Sequence, residues 1–183
     1  MLRKQADILR SNGGGVTFSG GEPLAQAKFV AEVIDRLDGI HILLDTSGYA
    51  SEEDFRLVAG RCDLVYFDLK LIDSEAHRRY TGRDNGPILR NLRVLSTLDV
   101  PFVVRVPMVP GVTDTDDNLT QIAETVKDLP GLLKVDLLRY NRAAGGKYES
   151  AGVEFKPGFD ESKEVNANKK PFEELGVEVE YHE

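Results

Sequence analysis

The 183 residues contain no tryptophan, one cysteine and three histidines. One thiol makes no internal disulfide, and it cannot furnish a cysteine-rich zinc site or an iron–sulfur cluster. Cys62 stands in Arg61-Cys62-Asp63-Leu64-Val65, at the entry to an apolar strand. It reads as a buried structural thiol, since no helix start or histidine neighbour is evident that would lower its pKa. The histidines are scattered. His41 begins a strand, His182 is in the tail, and neither has partners at ligand spacing; His77 falls in a loop, as a solvated or capping residue or else a general base. The three do not read as a metal centre. No Lys/Arg cluster suits a nucleic-acid backbone, because 23 basic residues against 31 acidic ones leave a formal charge of −8 spread along the chain. There is no apolar run long enough to span a bilayer and no signal-peptide pattern at Met1-Leu2-Arg3-Lys4, so a membrane partner is not expected and the cytoplasm is.

The chain is rich in alternating strand and helix patterns. Apolar runs predict strands over residues 15–19, 40–45, 63–69, 102–106 and 132–138, and a polar-alternating edge strand over 177–181. Between them, 3.6-residue periodicity predicts helices over 2–11, 23–37, 87–98, 116–129 and 160–175, with a further helix opened by Ser51-Glu52-Glu53. The stretch carrying His77, Tyr80, Thr81 and Gly82 reads as a polar connection, and 140–148 as a loop. Near-continuous apolar strands alternating with helices predict a parallel sheet covered by helices, either doubly wound or a barrel-like (β/α) arrangement. No repeat, low-complexity tract or boundary divides residues 1–183, so one α/β domain is expected.

The first predicted strand ends in Ser19-Gly20-Gly21-Glu22-Pro23. Two glycines remove Cβ atoms where the backbone leaves the strand, and Pro23 suits the first position of a helix. Exposed amides beside one carboxylate can grip an amino-acid-like ligand, although a tight βα turn needs the same residues. Polar residues also follow the other strands: Asp45 and Thr46, Asp68 and Lys70, Arg105, then Arg139 and Asn141. In parallel α/β folds those strand ends converge on the ligand site. Taken singly, Asp45 could cap a turn, and Asp68 and Lys70 could form a structural salt bridge.

Thr17-Phe18-Ser19-Gly20-Gly21-Glu22-Pro23-Leu24, Leu44-Asp45-Thr46-Ser47-Gly48, Asp63 to Lys70, and Arg105-Val106-Pro107-Met108-Val109-Pro110-Gly111 form an ordered set, joined by His77 to Gly82 and Asn118. In order and spacing the set resembles radical S-adenosylmethionine (SAM) proteins, and more narrowly the activating enzymes of glycyl-radical enzymes, such as the pyruvate formate-lyase activating enzyme. The resemblance implies a partial (β/α) TIM-like barrel whose mouth binds SAM. Gly20, Gly21 and Glu22 would hold the methionine ammonium. Asp45 and Thr46 would line the amino-acid end and, with Asp68, a monovalent-cation site. Lys70 would face the methionine carboxylate, Arg105 the ribose or carboxylate, and Val109-Pro110-Gly111 the adenine. Asn141 stands where the pattern expects a histidine; it can still bond the nucleoside but does not titrate near neutral pH.

The same resemblance calls for a Cys-x-x-x-Cys-x-x-Cys loop that binds a [4Fe–4S] cluster, and Cys62 is single and elsewhere. The expectation is therefore a fragment that lacks the first barrel strand and the cluster loop, has no catalytic residue of its own and is inactive alone. In the intact parent, the cluster would cleave SAM with an electron from a donor such as flavodoxin or ferredoxin. The resulting radical would take hydrogen from a glycine of a partner such as pyruvate formate-lyase. An uncovered first strand would favour self-association. Two readings compete: a cluster-free SAM-, nucleotide- or peptide-binding module, and a barrel enzyme using Lys70 as a Schiff-base nucleophile, which Asp68 disfavours by holding the ammonium charged.

Overall fold

The computed structural model describes residues 8–9, 11–140 and 158–182. Six strands, β1 (Gly15–Phe18), β2 (His41–Thr46), β3 (Leu64–Asp68), β4 (Phe102–Met108), β5 (Leu132–Arg139) and β6 (Val179–His182), form one sheet. Every pairing is parallel, and the spatial order equals the chain order. A doubly wound sheet reverses its order at a switch point, and this one does not. Among the described residues it is a singly wound, unclosed (β/α) barrel with β1 and β6 at its edges.

The connecting helices are α1 (Ala27–Ile34), α2 (Glu52–Ala59), α3 (Ser74–Thr81), α4 (Gly86–Leu95), α5 (Asp116–Val126) and the short α6 (Lys170–Glu173). Their starts follow from side chains that meet free backbone N–H groups: Ser51 accepts from Asp54, Asp73 from Ala76 and Thr115 from Asn118. Alternate strand residues face the helices and form the core, among them Leu44, Val65, Phe67, Val104, Val106, Val135 and Leu137, all fully buried. The register carries the intervening residues to the other, open face. There Asp68, Arg105, Asp136 and Glu180 lie side by side across four strands.

Three expectations need correction. The polar connection around His77 is helix α3, stopped by Gly82 in a left-handed conformation at φ 78°. His77 is buried there, with Nδ1 2.8 Å from the Arg83 carbonyl oxygen, so it is neither solvated nor placed to act as a base. The helix expected over 160–175 shrinks to α6, because Asn166 instead ties its segment to Asp114 and Asp116. The helix expected over 23–37 begins as a 3-10 turn, Pro23–Gln26, before α1. Strand β4 also runs on through Pro107, past the last β3 pair at Asp68 and Arg105. The Pro101 and Arg105 carbonyls accept from β3-side amides, so Pro107 turns its missing N–H beyond the end of β3, where no ladder bond is lost. The helix expected over 2–11 falls largely outside the described residues. Among the described residues no helix is long and apolar enough to cross a membrane.

Candidate functional site

The strand ends of β2, β3 and β4 meet at one guanidinium. Arg105 donates from Nε and Nη2 to Asp68 Oδ1, at 3.0 and 2.8 Å, and from Nη2 to Asp45 Oδ1. Its carbon stands 5.1 Å from the centre of the Tyr66 ring. Burial works against the charge, but Asp68 and then Asp45 outweigh it and hold the guanidinium above its ordinary pKa. Ser19, just past β1, donates to Asp45 Oδ2 at 3.2 Å, and Lys70 Nζ lies 3.8 Å from Asp68 Oδ2. Four strands thus contribute to one charged mouth, and the salt bridge that Asp68 and Lys70 could form is present within it.

Glu22 ties β1 to β2. Its Oε1 accepts from the Leu24 amide and the Thr46 hydroxyl, and its Oε2 from the Ser47 amide and hydroxyl. A carboxylate has about four acceptor positions, and all four are engaged. Thr46 is buried, and its Oγ1 also accepts from the Gly48 amide at 3.0 Å. Ser47 carries two of these bonds, a role the sequence signals only by its place after Asp45-Thr46. Gly20 takes φ 123°, and a Cβ at Gly20 or Gly21 would meet no protein atom within 4 Å, so the backbone there is bare.

Buried asparagines fix the loops around the mouth. Asn118 donates to the carbonyls of Lys70 and Thr113 at 2.9 and 2.8 Å and accepts from the Ile72 amide at 3.1 Å. Asn85 donates to the Leu71 and Ile72 carbonyls. Asn91 does the same for Gly48 and Ala50 behind β2. Lys70, with its side chain 36% exposed, is therefore presented from a pinned backbone.

The turn after β4 is set by Asp114, which is buried and accepts from the Gly111 amide at 2.6 Å and the Asn166 amide at 2.9 Å. Val109 donates to Thr113 Oγ1 at 2.7 Å. Beside this turn opens a cavity of about 500 Å³ lined by Pro110, Arg139, Tyr140, Lys163, Val165 and Tyr181. Asn141 lies outside the described residues. The structure therefore brings Asp45, Asp68, Lys70 and Arg105 into one ion-paired group, and it holds Glu22 and Thr46 in a second hydrogen-bonded group that adjoins the first through consecutive β2 residues. Val109 stands on the neighbouring turn.

A second polar group lies across β5 and β6. His182 Nε2 lies 2.9 Å from Asp136 Oδ1 and 3.6 Å from Glu180 Oε2. The sequence showed no such spacing because Asp136 comes from the adjacent strand.

The radical SAM superfamily profile matches residues 1–123. The chain belongs to the radical SAM superfamily. It is 39% identical over 153 residues to a trans-4-hydroxy-L-proline dehydratase activating enzyme of Clostridioides difficile, covering 81% of this chain and 50% of that protein. It is 34% identical over 176 residues to a (2S)-3-sulfopropanediol dehydratase activating enzyme of Klebsiella oxytoca, covering 94% and 54%. The chain thus spans about half the length of these curated relatives. A crystal structure of a domain of a pyruvate-formate lyase-activating enzyme from Bacteroides vulgatus superposes with TM-score 0.73 at 27% identity, covering 93% of this chain and all of that one.

Membership implies SAM and a [4Fe–4S] cluster. The mouth suits SAM: open space beside the Gly20-Gly21 backbone, a partly exposed lysine, and carboxylates and an arginine at fixed positions. The residues present do not suit the cluster. Cys62 is the only thiol in the sequence and is buried. Its Sγ donates to the Val58 carbonyl at 3.3 Å, and burial together with Asp63 pushes its pKa up to about 12. It also precedes β3, at the opposite end of the sheet from the mouth.

Proposed function

We propose that this chain is the SAM-binding part of an activating enzyme that places a glycyl radical on a partner such as pyruvate formate-lyase. One observation carries the reading: the groups that a zwitterionic, sulfonium-bearing ligand calls for meet at four adjacent strand ends, in a chain whose relatives are activating enzymes. Lys70 meets the methionine carboxylate as a point charge. The Gly20-Gly21 backbone, with open space where a side chain would stand, takes the ammonium end, while Glu22 holds the ends of β1 and β2 in place. Arg105 neutralises Asp45 and Asp68 and faces the ribose. A monovalent cation bound by Asp45, Thr46 and Asp68 would have to share both carboxylates with that guanidinium. The turn at Val109 and the adjacent cavity take the adenine, and Asn141, which lies outside the described residues, is assigned to the nucleoside by the family pattern alone.

Bound SAM supplies a sulfonium whose reductive cleavage is the source of a hydrogen-abstracting radical. A lone buried thiol furnishes no cluster, so this chain binds and orients SAM without cleaving it. Cleavage, the electron donor of the flavodoxin or ferredoxin type, and the glycyl partner belong to the intact parent.

Calorimetric titration of SAM into the 183-residue chain tests the reading. One saturable site is expected, weakened at least tenfold by Lys70→Ala. Dithionite is expected to leave the SAM intact. Absence of SAM binding would overturn the function, and 5′-deoxyadenosine released by the chain alone would overturn its inactivity.

A further inference from the structure

The open face of the sheet carries a second constellation next to the mouth. Arg105 on β4 stands in register with Asp136 on β5, and Asp136 with Glu180 on β6; His182 follows two residues later on β6, opposite Leu138. Lys134, two residues before Asp136 and on the same face, extends its ammonium to both carboxylates.

We propose that Asp136, Glu180 and His182 form a divalent-cation site suited to Zn²⁺, in which the Lys134 ammonium holds the position a metal would take. The ligand atoms of the three side chains all lie within 4.8 Å of one another. Tetrahedral Zn²⁺ with bonds of about 2.0–2.2 Å separates its ligand atoms by about 3.4 Å. The 3.6 Å between His182 and Glu180 matches that spacing, and the 2.9 Å between His182 and Asp136 must open slightly. One imidazole with two carboxylates favours Zn²⁺ over Mg²⁺ or Ca²⁺, which take oxygen ligands.

Asp136 supplies a second, independent pointer. Its side chain is only 9% exposed, and its Oδ1 accepts no aligned hydrogen bond. Lys134 Nζ at 3.1 Å is its ion-pair partner and His182 Nε2 lies at 2.9 Å, both off the line of a good hydrogen bond. The oxygen thus keeps acceptor capacity that its ion pair with Lys134 leaves unaligned, and an ion at the point where the three ligand atoms converge would use it. Access is open, since the His182 and Glu180 side chains are 46% and 49% exposed. Lys134 is long and flexible enough to swing away. The consequence for the fold is mechanical. Among the described residues strand β6 is an edge strand paired with β5 alone, and a metal bridging Asp136 to Glu180 and His182 would fasten it.

The test uses the chelator-stripped 183-residue chain, with Zn²⁺ competed against a chromophoric chelator. One Zn²⁺ per chain is expected, weakened at least tenfold by His182→Ala and by Glu180→Gln. Lys134→Met, which removes the competing ammonium, is expected to tighten binding several-fold. Zn²⁺ should raise the thermal midpoint of the wild-type chain and leave that of His182→Ala unmoved. The altered side chains in the two weakened variants are half exposed, so folding is retained and circular dichroism checks it. Zn²⁺ binding as tight in His182→Ala as in the wild type, or no stoichiometric binding in either wild type or Lys134→Met, would overturn the site. The outcome is independent of SAM binding.

Discussion

Arg105 reaches from β4 to Asp68 on β3 through two nitrogens, and its Nη2 continues to Asp45 on β2. This two-pronged contact joins three strands at the rim that would receive a ligand, so its removal should damage stability and binding together.

Arg105→Met leaves Asp45 and Asp68 close together without their shared cation. With the Arg105 side chain 17% exposed, the expected loss is about 2–3 kcal/mol, below the cost of breaking a fully buried pair. Arg105→Lys restores charge but not the planar fork and should fall between the two. Urea denaturation of the three proteins checks the order. A loss in Arg105→Met no greater than that of a surface substitution would show that the mouth is held by other contacts.

Two glycines near the mouth should separate packing from binding. A Cβ at Gly48 would come 2.3 Å from the Phe67 ring, at a backbone φ of 70°. Gly48→Ala is therefore expected to cost about 2–4 kcal/mol, by overpacking and by conformation. At Gly20 the same change meets no protein atom within 4 Å and carries only the conformational cost, about 1–2 kcal/mol. Gly20→Ala should nevertheless weaken SAM at least tenfold, since the methyl group stands where a ligand would approach. Denaturation curves and calorimetry on both variants give the comparison.

Asn118 serves three backbone groups from one buried amide, at Lys70, Ile72 and Thr113. Truncation to Ala strands all three. Each unmet buried group costs about 1–3 kcal/mol, relieved in part by water, so a total loss of about 2–4 kcal/mol is expected. SAM affinity should fall as well, because the Lys70 backbone loses its anchor. Asn118→Asp keeps an acceptor for Ile72 but repels the Lys70 and Thr113 carbonyls, and it should be no better. Equal SAM affinity in wild type and Asn118→Ala would remove Asn118 from the support of the mouth.

That Asp45, Asp68 and Arg105 lie toward one end of the sheet was legible, because each stands late in an apolar run and strand ends converge in a parallel sheet; that one guanidinium would pair with both carboxylates was not, since it depends on the register between β2, β3 and β4. What was not legible has local causes. Helix α3 reads Ser-Glu-Ala-His-Arg-Arg-Tyr-Thr, with His77 its only buried residue, so no apolar stripe marks it. Its signals were Asp73 before it and Gly82 after it, which are cap chemistry rather than periodicity. The helix expected over 160–175 has the opposite problem. Its pattern is helical enough, but Asn166 and Asn168 bond Asp116 across the fold and hold the segment in another shape. The Asp136, Glu180 and His182 group depends on strand register, which spacing within one segment does not report.

Burial at Cys62 gives a pH dependence of known sign. Its pKa rises from 9.0 to about 12 in the fold, from desolvation and then from Asp63. Above about pH 9 the unfolded chain loses this proton and the folded chain keeps it, so the unfolded state binds fewer protons. Stability from this group is complete below that point and declines between about pH 9 and 12, by up to about 1.4 kcal/mol per pH unit. Cys62→Ala should flatten that alkaline decline. Native Cys62 should also react with a thiol reagent at pH 8 far more slowly than the urea-unfolded chain. Rapid labelling of the folded protein would contradict its burial.

Among the described residues strand β1 pairs only with β2, and its Val16 and Phe18 are half-buried rather than covered. Among the described residues its outer row of N–H and C=O groups has no strand partner, an arrangement that favours strand-to-strand association. The chain should therefore self-associate as concentration rises, and sedimentation at several concentrations should show a climbing average mass. Thr17 is exposed between Val16 and Phe18, so Thr17→Lys adds a charge to the edge without disturbing the core and should shift the population toward monomer. A Thr17→Lys protein that associates as strongly as the wild type would place the contact elsewhere, and a wild type that stays monomeric throughout would show that this edge is already protected.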